Sequence, residues 1–491
     1  MEFQGANPDA GPELLLRPPQ RGRGPLGPQV EGALRDAIRT GRLAPGARVP
    51  PTRTLARDLG VSRRLVVGAY EQLVAEGWLQ AHVGVGTTVR RALPEPPAAP
   101  ARRTRLRPPA GGRPGVRGSG PPARAVVRYD FFPGHPDLSA FPRAAWGRAT
   151  REALRELPDA AFGYTDPRGL PELRSVLAEL LPRTRGVVCR PGQLVVCQGV
   201  MQALHVLVAA LRAEAGGGPV RVAVEDPYLP EHRLVLDAAG AELVPVPVDA
   251  LGVRDEAVAH ADVAAALLTP AHQSPTGVTL AAGRRTALTR WAQEHGRLLI
   301  EDDYDAEYRY DRAPVGAMQA LAPGHVAYLG SVSKTLAPAL RLAWIVVPED
   351  RLAVAVHARR LLDGGSPVLE QAALARFMAS GGYDRHVRAA RRRQHGRRGA
   401  LIDALAEFLP GARAEGIAAG LHVVVRLPAP VEAAALDREA LARDVRVYPL
   451  SGWRADPPPQ ASAVVMGYGA LAPPAIREGV RRLAEAVDAL G

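Results

Sequence analysis

Short apolar segments alternate with amphipathic ones through the middle of the chain, and this alternation restricts the fold more than any other feature. The apolar segments are three to five residues long and lack polar alternation, as expected of strands buried on both faces. The first three are each followed by apolar residues at helical spacing, the crossover that parallel strands require. We therefore predict an α/β domain with a mostly parallel sheet covered by helices. The predicted strands are residues 194–197, 220–224, 264–268 and 298–300, and the predicted helices are residues 201–212, 231–239 and 283–295.

The positive charge of the chain is concentrated in its first quarter. Residues 1–128 contain 21 arginines and 9 acidic residues, whereas basic and acidic residues balance in the remainder. The net charge of +12 therefore belongs to this first segment, which indicates a polyanion-binding module joined to a neutral globular body. No apolar run has membrane-spanning length and the N-terminus lacks a signal-peptide pattern, so we expect a cytoplasmic protein.

Residues 26–90 have the pattern of a winged helix-turn-helix. Apolar spacing and breaker residues predict three helices followed by a hairpin with a glycine-rich tip. The predicted helices are residues 28–40, 53–59 and 62–76, and the predicted strands are residues 78–81 and 87–89. The alternative is a small helical protein-interaction domain whose arginines are merely solvated.

The third of these helices is the candidate DNA-reading element. Ser62 is its expected N-cap, and Arg63 and Arg64 follow where base contacts are usual in the major groove. Its apolar residues are expected to face inward; they are Leu65, Val66, Ala69, Leu73 and Val74.

Several segments of this module closely resemble the GntR-type winged helix. They are residues 41–46, 52–56, 59–63 and 69–73, with Glu76-Gly77 and residues 84–87 closing the module. The resemblance implies a double-stranded DNA operator. The candidate DNA contacts are Arg53, Ser62, Arg63, Arg64 and Tyr70.

Two segments on either side of the module are poor in apolar periodicity. Residues 1–24 are expected to form a flexible arm, and residues 91–128 are interpreted as an extended Pro/Ala/Gly/Arg-rich linker. The arginines of the linker either add contacts to phosphates or belong to a solvated tether. The globular body is expected to occupy residues 129–491.

Lys334 is the only lysine among 62 basic residues. A guanidinium stays protonated, whereas an amine can lose its proton and attack an aldehyde to give a Schiff base. Residues 327–329 have the pattern of a buried strand that ends at Gly330, which puts the lysine at a carboxyl strand end, where α/β sheets bind ligands. The alternative is a chance surface lysine.

The surroundings of Lys334 are those expected of a pyridoxal phosphate site. Ser331, Ser333 and Thr335 supply hydroxyl groups, and Arg341 supplies a planar fork suited to phosphate oxygens. A second phosphate-binding feature is a helix start directly after a strand, at Gly199, Val200 and Met201.

Two further polar stretches follow predicted strands. Residues 301–305 include Asp302 and Tyr304; a carboxylate there would keep a pyridine nitrogen protonated, although an acidic cluster could instead bind a divalent metal. The lysine loop favours the cofactor, and we predict no metal. Residues 269–277 form a polar turn aimed at the same edge, in which His272 taken alone would more often be structural.

Together these motifs resemble the MocR family, in which a GntR-type winged helix is fused to a fold-type-I aminotransferase-like domain with a small C-terminal subdomain. The resemblance implies that Lys334 holds pyridoxal phosphate as a Schiff base. It also implies that Asp302 pairs with the pyridine nitrogen and Tyr304 with the ring oxygen, while Ser331, Ser333 and Arg341 bind the phosphate. Tyr164 matches a tyrosine that reaches the phosphate of a neighbouring subunit, which implies a homodimer.

Three positions depart from the aminotransferase pattern. Ser274 replaces the asparagine before Pro-Thr-Gly, so that Gln273 or His272 is expected to take over its hydrogen bond. Residues 225–229 place Tyr228 among the candidate cofactor contacts but leave the stacking aromatic open. The strand at 463–468 has no arginine for a substrate carboxylate, for which Arg233 is a candidate substitute.

These departures favour a transcriptional regulator that senses pyridoxal phosphate or an amine effector. The alternative is a working aminotransferase with an appended DNA-binding domain. A third possibility, a DNA-binding protein that has lost the cofactor, is disfavoured by retention of the sole lysine. The arginine-rich run at 388–398 is interpreted as a solvated helix face, with a second nucleic-acid surface as the alternative.

Overall fold

The computed structural model describes residues 16, 18–20, 26–75, 78–82, 86–89, 127–310, 315–456 and 460–490. The chain separates into two compact units, residues 1–123 and residues 124–491. Most of the predicted N-terminal arm, nearly all of the predicted linker and the tip of the predicted wing lie outside the described residues. None of the described helices is long and apolar enough to cross a membrane.

The N-terminal unit contains three helices and a hairpin in the predicted order. They are α1 (Leu26–Arg39), α2 (Thr52–Leu59), α3 (Arg63–Ala75), β1 (Leu79–His82) and β2 (Gly86–Val89). The two strands are antiparallel, and residues 46–49 pair with the other edge of β2. Apolar side chains of the three helices enclose one core. This arrangement is a winged helix-turn-helix.

The ends of α2 and α3 form as the local sequence predicts. Gly60 ends α2 in the left-handed conformation with φ 63°, and the Ser62 hydroxyl accepts the Leu65 N–H at 3.3 Å to cap α3. Of the residues expected to face inward, Val66, Ala69 and Leu73 are buried, whereas Val74 is 37% exposed. The prediction for Val74 is wrong because one residue beyond Leu73 rotates about 100° around the helix, away from the core.

The second unit alternates strands and helices and ends in a helix-covered antiparallel sheet. Its elements are β3 (Tyr129–Asp130), α4 (Arg143–Glu156), α5 (Pro171–Arg185), β4 (Leu194–Cys197), α6 (Val200–Glu214), β5 (Val220–Asp226), α7 (Pro230–Ala238), β6 (Ala241–Asp249), β7 (Gly252–Val253), α8 (Asp255–His260), β8 (Ala265–Leu268), α9 (Ala282–His295), β9 (Leu298–Asp302), β10 (Val326–Ser331), β11 (Ala343–Val346), α10 (Leu352–Asp363), α11 (Val368–Ala379), α12 (Gly382–Phe408), β12 (Arg413–Glu415), β13 (His422–Glu432), α13 (Ala433–Ala442), β14 (Val445–Arg446), β15 (Tyr448–Pro449), β16 (Gln460–Gly467) and α14 (Pro473–Asp488).

Eight strands form the central sheet in the order β4-β11-β10-β9-β8-β5-β6-β7. The strands β10, β9, β8, β5 and β6 are parallel, whereas β11 runs antiparallel between β10 and β4, and β7 is an antiparallel edge. Separate apolar clusters cover the two faces of the sheet: α6, α7 and α10 pack on one, and α4, α5 and α11 on the other. The predicted α/β class and the predominantly parallel sheet are confirmed.

A smaller antiparallel sheet in the order β12-β13-β16-β15 forms the C-terminal part of this unit. It shares an apolar core with α13, α14 and the end of α12. The strand β14 pairs in parallel with β3, which ties the start of the unit to this C-terminal subdomain.

Candidate functional site

The candidate site lies where several parallel strands of the central sheet end. Leu329 of β10 pairs with Asp302, the last residue of β9, and Leu268 at the end of β8 pairs with Glu301. On the other side, Ser331 of β10 and Cys197 of β4 both pair with Ala343 of β11. The loops that follow these strands therefore bring the predicted polar residues to one edge of the sheet.

Lys334 lies in the turn after β10, half-buried beneath the loop that follows β3. A β-carbon placed on Gly134, which has φ 75°, would lie 3.0 Å from the lysine Nζ, so this loop can pass so close only as glycine. The Tyr308 hydroxyl donates to the lysine carbonyl oxygen at 3.1 Å. Burial lowers the pKa of the Lys334 amine below 10.5, opposed first by Asp305 and then by Asp302. A lowered pKa favours the neutral amine that can act as a nucleophile.

A phosphate-sized cradle is formed by Gly199 and Arg341 at the start of α6. The Arg341 guanidinium donates to the carbonyl oxygen of Gln198 at 2.6 Å, and a β-carbon on Gly199 would lie 2.5 Å from the same nitrogen. Gly199 is the N-cap of α6 with φ 95°, so the backbone N–H groups of Val200 and Met201 open the helix. Such N–H groups and the helix dipole favour an anion.

Two predicted phosphate ligands lie in the same loop as Lys334. Ser331 is buried at the end of β10, and its hydroxyl accepts the Ser333 N–H at 3.4 Å. Their proximity to the cradle follows from the sheet register, which separates Ser331 from the end of β4 by the single strand β11.

Asp302 has one carboxylate oxygen engaged and one available. Its Oδ2 accepts the Tyr228 hydroxyl at 3.4 Å and lies 3.6 Å from the His232 Nδ1. Its Oδ1 is buried and has no hydrogen-bond partner among the described residues. Burial and then the charge of Asp303 raise the pKa of Asp302 to about 7, against the opposing charge of Lys334. A buried acceptor without a donor is the group that a ring N–H would satisfy.

Tyr304 is held by a histidine and an aspartate. Its hydroxyl lies 3.0 Å from the His272 Nδ1, and both oxygens of Asp305 lie 3.1 Å from that same nitrogen. The Asp305 carboxylate favours a proton on the His272 Nδ1. The Tyr304 oxygen therefore accepts from that N–H, and its own O–H remains able to donate to another group. Ser274 also hydrogen-bonds the Tyr304 side chain, whose pKa burial nevertheless raises well above 10.

Gln273, which with His272 was expected to take over the hydrogen bond of the missing asparagine, uses its hydrogen bonds on its own turn and on Pro227. Its amide N–H groups donate to the carbonyl oxygen of Pro227 at 2.9 Å and to that of Ser274 at 2.8 Å, and its oxygen accepts the Thr276 hydroxyl. The side chain is 1% exposed and its hydrogen bonds hold the turn together. Two other residues of this turn reach Tyr304: Ser274 hydrogen-bonds its side chain, and the His272 Nδ1 lies 3.0 Å from its hydroxyl. The geometry therefore supports the alternative expectation, in which His272 takes over the hydrogen bond.

The acidic side chains of residues 301–305 have different partners and do not converge on one point. Glu301 accepts the backbone N–H groups of Met318 and Gln319, both at 2.8 Å, Asp303 pairs with Arg185, and Asp305 faces His272. Among the residues that the structure describes, no group of three or more His, Cys, Asp or Glu side chains could hold a metal ion.

The residues present fit pyridoxal phosphate. Asp302 offers an unpaired buried acceptor for a pyridinium N–H, Gly199 and Arg341 offer an anion cradle, and Lys334 offers an amine of lowered pKa between them. Tyr304 adds a hydroxyl donor. Tyr228 is fully buried with its hydroxyl on Asp302, at 3.4 Å, and thereby orients the carboxylate.

Tyr164 lies outside this site within the single chain, and Arg233 is held near Tyr228 in an ion pair. Tyr164 is fully exposed. Arg233, the candidate substitute for a carboxylate anchor, pairs with Asp226 at 2.8 Å, so that its charge is already neutralised. The strand β16 contains no arginine, as the sequence indicates.

The DNA-binding candidates all belong to the N-terminal unit. Arg53, Ser62, Arg63 and Arg64 are exposed, and the Arg63 guanidinium donates to the Thr52 hydroxyl at 3.4 Å. Tyr70 is not a surface residue: it is 6% exposed and its hydroxyl donates to the Pro50 carbonyl oxygen at 2.7 Å. We correct its assignment to the core, since position 70 lies one helical turn beyond the buried Val66.

Sequence reasoning missed Gly134, His232 and Asp305. The Pro133-Gly134 turn directly after an aromatic pair was a local signal for a close approach of backbone. His232 and Asp305 have no comparable signal, because their partners Tyr228 and His272 are found only once the strand ends meet.

Comparisons with known proteins agree with this arrangement. Residues 136–455 match the aminotransferase class I and II family, and residues 26–89 match the bacterial regulatory proteins of the gntR family. The probable rhizopine catabolism regulatory protein MocR of Rhizobium meliloti is 35% identical over 476 residues, covering 95% of this chain and 94% of that protein. The HTH-type pyridoxine biosynthesis transcriptional regulator PdxR of Corynebacterium glutamicum is 33% identical over 464 residues, covering 94% and 95%.

Solved structures resemble the second unit. A multiple substrate aminotransferase from Thermococcus profundus has a TM-score of 0.68 at 24% identity, covering 74% of this chain and 92% of that one. LysN, an α-aminoadipate aminotransferase from Thermus thermophilus complexed with N-(5'-phosphopyridoxyl)-L-leucine, has a TM-score of 0.67 at 26% identity, covering 74% and 93%. With both family matches and a relative of this identity along nearly its whole length, the chain belongs to the MocR family of regulators, in which a GntR-type winged helix is joined to an aminotransferase class I and II domain.

Proposed function

We propose that this protein is a DNA-binding transcriptional regulator whose aminotransferase-like domain binds pyridoxal phosphate and senses it, or an amine that reacts with it. The proposal is supported by two features that occur together in this chain. Exposed arginines begin α3, and the lysine site keeps the cofactor-holding groups while β16 lacks a substrate-carboxylate arginine. A regulator of this kind acts on the DNA of the cell, which supports a cytoplasmic location.

The DNA-binding part of the proposal rests on α3. Arg63 and Arg64 stand at its first turn, and Arg53 lies in the first turn of α2. Arginine is the residue best suited to bidentate contacts with guanine and to phosphate. We assign base reading to the start of α3 and phosphate contacts to Arg53.

In the second unit, each residue has a defined task toward the cofactor. Lys334 would hold it covalently, Arg341 and the first turn of α6 would hold its phosphate, and Asp302 would keep the ring nitrogen protonated. Bound pyridoxal phosphate supplies an aldehyde that exchanges one amine for another and a ring that withdraws electrons from it. Tyr304 would donate to the ring oxygen, and the loop at Gly134 would cover the lysine.

Effector sensing is favoured over turnover because of how amino acids must be positioned. Transamination requires the substrate carboxylate to be fixed so that the Cα–H bond stands perpendicular to the ring, and positioning supplies much of an enzyme's rate. Arg233 is committed to Asp226, so it does not replace the missing arginine. A sensor needs only a difference in amine affinity between two conformations.

A working aminotransferase is the second candidate. The observation in its favour is the intact set of Lys334, Asp302 and Tyr304, which is what cofactor chemistry itself requires. Panels of amino acids with pyruvate or 2-oxoglutarate separate the two, when turnover and DNA affinity are followed together. Turnover of about 1 per second or more, with DNA affinity unmoved by cofactor or amine, would favour the enzyme.

The experiment that tests the regulator uses full-length protein and DNA fragments selected by that protein from a randomised pool. We expect fluorescence anisotropy to show DNA affinity that changes when pyridoxal phosphate or an amine is added. Lys334→Ala should bind the same fragments but lose this response, the cofactor absorbance and borohydride labelling. Failure of the selected pool to enrich any sequence would refute specific DNA binding.

We also propose a homodimer. Tyr164 is fully exposed, and Leu361 and Phe162 are 73% and 56% exposed. Leu361 lies in the last turn of α10, two residues before Asp363, whose carboxylate accepts the Gln198 amide at 3.1 Å. A partner that covers these exposed side chains would also bring a second Tyr164 near a cradle.

Light scattering during size exclusion tests the dimer. Wild-type protein should elute with twice the chain mass, and Leu361→Arg should shift it toward the monomer. Leu251→Arg is the matched control, because Leu251 is an equally apolar side chain, 55% exposed, in the turn between β6 and β7. Monomeric wild-type protein, or equal behaviour of the two variants, would exclude this interface.

A further inference from the structure

A second cavity lies behind the lysine loop, on the face of the central sheet opposite Asp302. It has a volume of about 200 Å³, is open to solvent on one side, and is bordered by α5, the first turns of α12, and the strands β10 and β11. Asp303 follows Asp302 directly and so points to the other face of the sheet, where it lines this cavity. We call it the α5–α12 cavity. It has the size of a small metabolite rather than of a cofactor.

Two buried donors at the floor of this cavity have no acceptor. The Nη1 of Arg185 and the Nε1 of Trp344 have no hydrogen-bond partner among the described residues, and the two side chains are 3% and 4% exposed. Asp303 binds the Nε and Nη2 of Arg185 at 2.6 and 3.2 Å, which leaves Nη1 on the far side of the guanidinium. A buried donor without an acceptor costs about 1–3 kcal/mol.

The indole N–H reaches the cavity because position 330 is glycine. A β-carbon on Gly330 would lie 2.5 Å from the Trp344 Nε1. Gly330 and Trp344 both line the cavity and pair directly across β10 and β11. Only glycine at position 330 therefore gives the indole N–H room beside the β10 backbone.

The charges that line the cavity fit a single negative charge. Asp303 is paired with Arg185, and Asp384 is paired with Arg183 at 3.0 Å. This leaves the exposed Arg388 at the mouth as an additional positive charge.

Glu307, which also lines the cavity, need not oppose an anion. Burial first, and then the charge of Asp303, raise the pKa of Glu307 to about 7, so that at neutral pH and below it tends to be uncharged. A doubly charged phosphate is less suitable, since Asp303 already neutralises much of the Arg185 charge.

Apolar side chains complete the walls. Leu180, Leu181 and Val387 line the cavity beside the ring of Tyr383. A ligand with a carboxylate at one end and a short aliphatic chain at the other would satisfy both the donors and these walls. An amino acid would bring an ammonium group for which the paired aspartates offer no free carboxylate.

We propose that the α5–α12 cavity binds a short-chain aliphatic monocarboxylate, whose oxygens accept from Arg185 and Trp344. This site borders the lysine site at Ser331, which lines the cavity and is also a candidate phosphate ligand.

The occupant would touch the elements that fix the lysine loop. The Tyr383 hydroxyl donates to the Thr335 hydroxyl at 3.0 Å, and His386 contacts the Thr335 carbonyl oxygen at 2.8 Å. Thr335 follows Lys334 directly. Occupancy of the cavity can therefore bias the lysine loop through α12, to the extent that the ligand prefers one arrangement of it.

The test is calorimetric titration of the full-length, cofactor-loaded protein with sodium butyrate, sodium propionate, valine and sodium phosphate at constant ionic strength. We expect saturable binding of butyrate, one per chain, weaker binding of propionate, and no binding of phosphate at this site. Trp344→Phe keeps the ring but removes the N–H, and should weaken butyrate binding at least about tenfold. Trp291→Phe is the matched control, because that buried indole lies in a different apolar cluster, and it should bind like wild type.

Val387→Phe provides a variant that does not depend on the tryptophan. Val387 is only partly buried on α12, so a larger ring should fill the cavity without disrupting the core, and should abolish binding. Butyrate binding that shifts the cofactor absorbance but survives both Trp344→Phe and Val387→Phe belongs to the lysine site and overturns the proposal. So does tighter binding of valine or phosphate, or the absence of saturable butyrate binding.

Discussion

Replacing Gly199 by alanine should weaken cofactor binding as well as the fold. Gly199 has φ 95° and ψ 165°, a conformation open essentially only to glycine. A side chain there costs about 1–3 kcal/mol of backbone strain. The new β-carbon would also lie 2.5–2.9 Å from three atoms of the Arg341 guanidinium, which must move.

The displacement of Arg341 sets the size of the effect on affinity. Its hydrogen bond to the Gln198 carbonyl oxygen, 2.6 Å long, fixes the guanidinium beside the start of α6. A hydrogen bond between charged groups contributes about 1.5–3 kcal/mol, so losing the phosphate contact should raise the dissociation constant of pyridoxal phosphate roughly 10- to 150-fold. Absorbance titration of cofactor-free protein measures this constant.

A glycine with open space around it provides the matched control for Gly199. Gly283→Ala, in the first turn of α9, adds a β-carbon to open space without a positive φ and should leave affinity unchanged. When Arg341 is already alanine, Gly199→Ala can no longer displace the guanidinium and should cost only the backbone strain. The affinity losses of Gly199→Ala and Arg341→Ala should therefore not be additive. Unchanged affinity in Gly199→Ala, or full additivity, would refute the cradle.

Two further predictions concern charge. Arg63→Ala and Arg64→Ala should each weaken specific DNA binding by about 1–3 kcal/mol if the side chain reads a base. Arg57→Ala is the control, because Arg57 is exposed at the end of α2 and its loss should change DNA affinity only slightly. Equal losses of affinity on all DNA sequences would indicate phosphate contacts instead. For Asp302, the folded cofactor-free protein retains a proton up to about pH 7, whereas the unfolded chain releases it near 3.8. The contribution of Asp302 to stability therefore falls as pH rises from about 4 to about 7, and it is constant above that range. Asp302→Asn should make the free energy of urea unfolding less dependent on pH. An unchanged pH dependence would contradict the raised pKa of Asp302.

The parts of the fold that were predictable from sequence are those encoded locally. The strands β4, β5, β8 and β9 begin within one residue of their predicted positions, because runs of buried apolar residues mark them directly. Phosphate-binding groups at two strand ends, in the lysine loop and at Gly199, were predicted from the sequence. The antiparallel strand β11, which lies between them, was not, since four apolar residues in a loop-rich segment carry no periodicity.

The errors concern side chains whose partners are distant in sequence. Gln273 satisfies its amide with Pro227, 46 residues away. Tyr70 reaches back 20 residues to Pro50 and is therefore a core residue. Residue type placed each of them in a plausible polar role, but only the tertiary contacts decide which polar group each one satisfies.

The link between Lys334 and the C-terminal subdomain runs through Thr335 and provides the last prediction. The Thr335 hydroxyl, 2% exposed, accepts the buried Tyr383 hydroxyl at 3.0 Å. Tyr383 stands in the first turn of α12, whose last turns carry Leu401 and Leu405 into the core of the subdomain. A helix of 27 residues spans about 40 Å, so the two ends are joined by one stiff element.

Thr335→Val should cost about 1–3 kcal/mol of unfolding free energy, because it keeps the volume of the threonine but leaves the Tyr383 hydroxyl buried without its acceptor. Tyr383→Phe removes that hydroxyl, and the double variant should therefore be more stable than the sum of the two single losses predicts. The hydrogen bond from His386 to the Thr335 carbonyl oxygen persists in all three variants and serves as an internal control. Urea unfolding of the cofactor-free protein measures the cycle. Strictly additive losses would mean that the two hydroxyls do not interact, and that the lysine loop is not held by α12 in the way the geometry indicates.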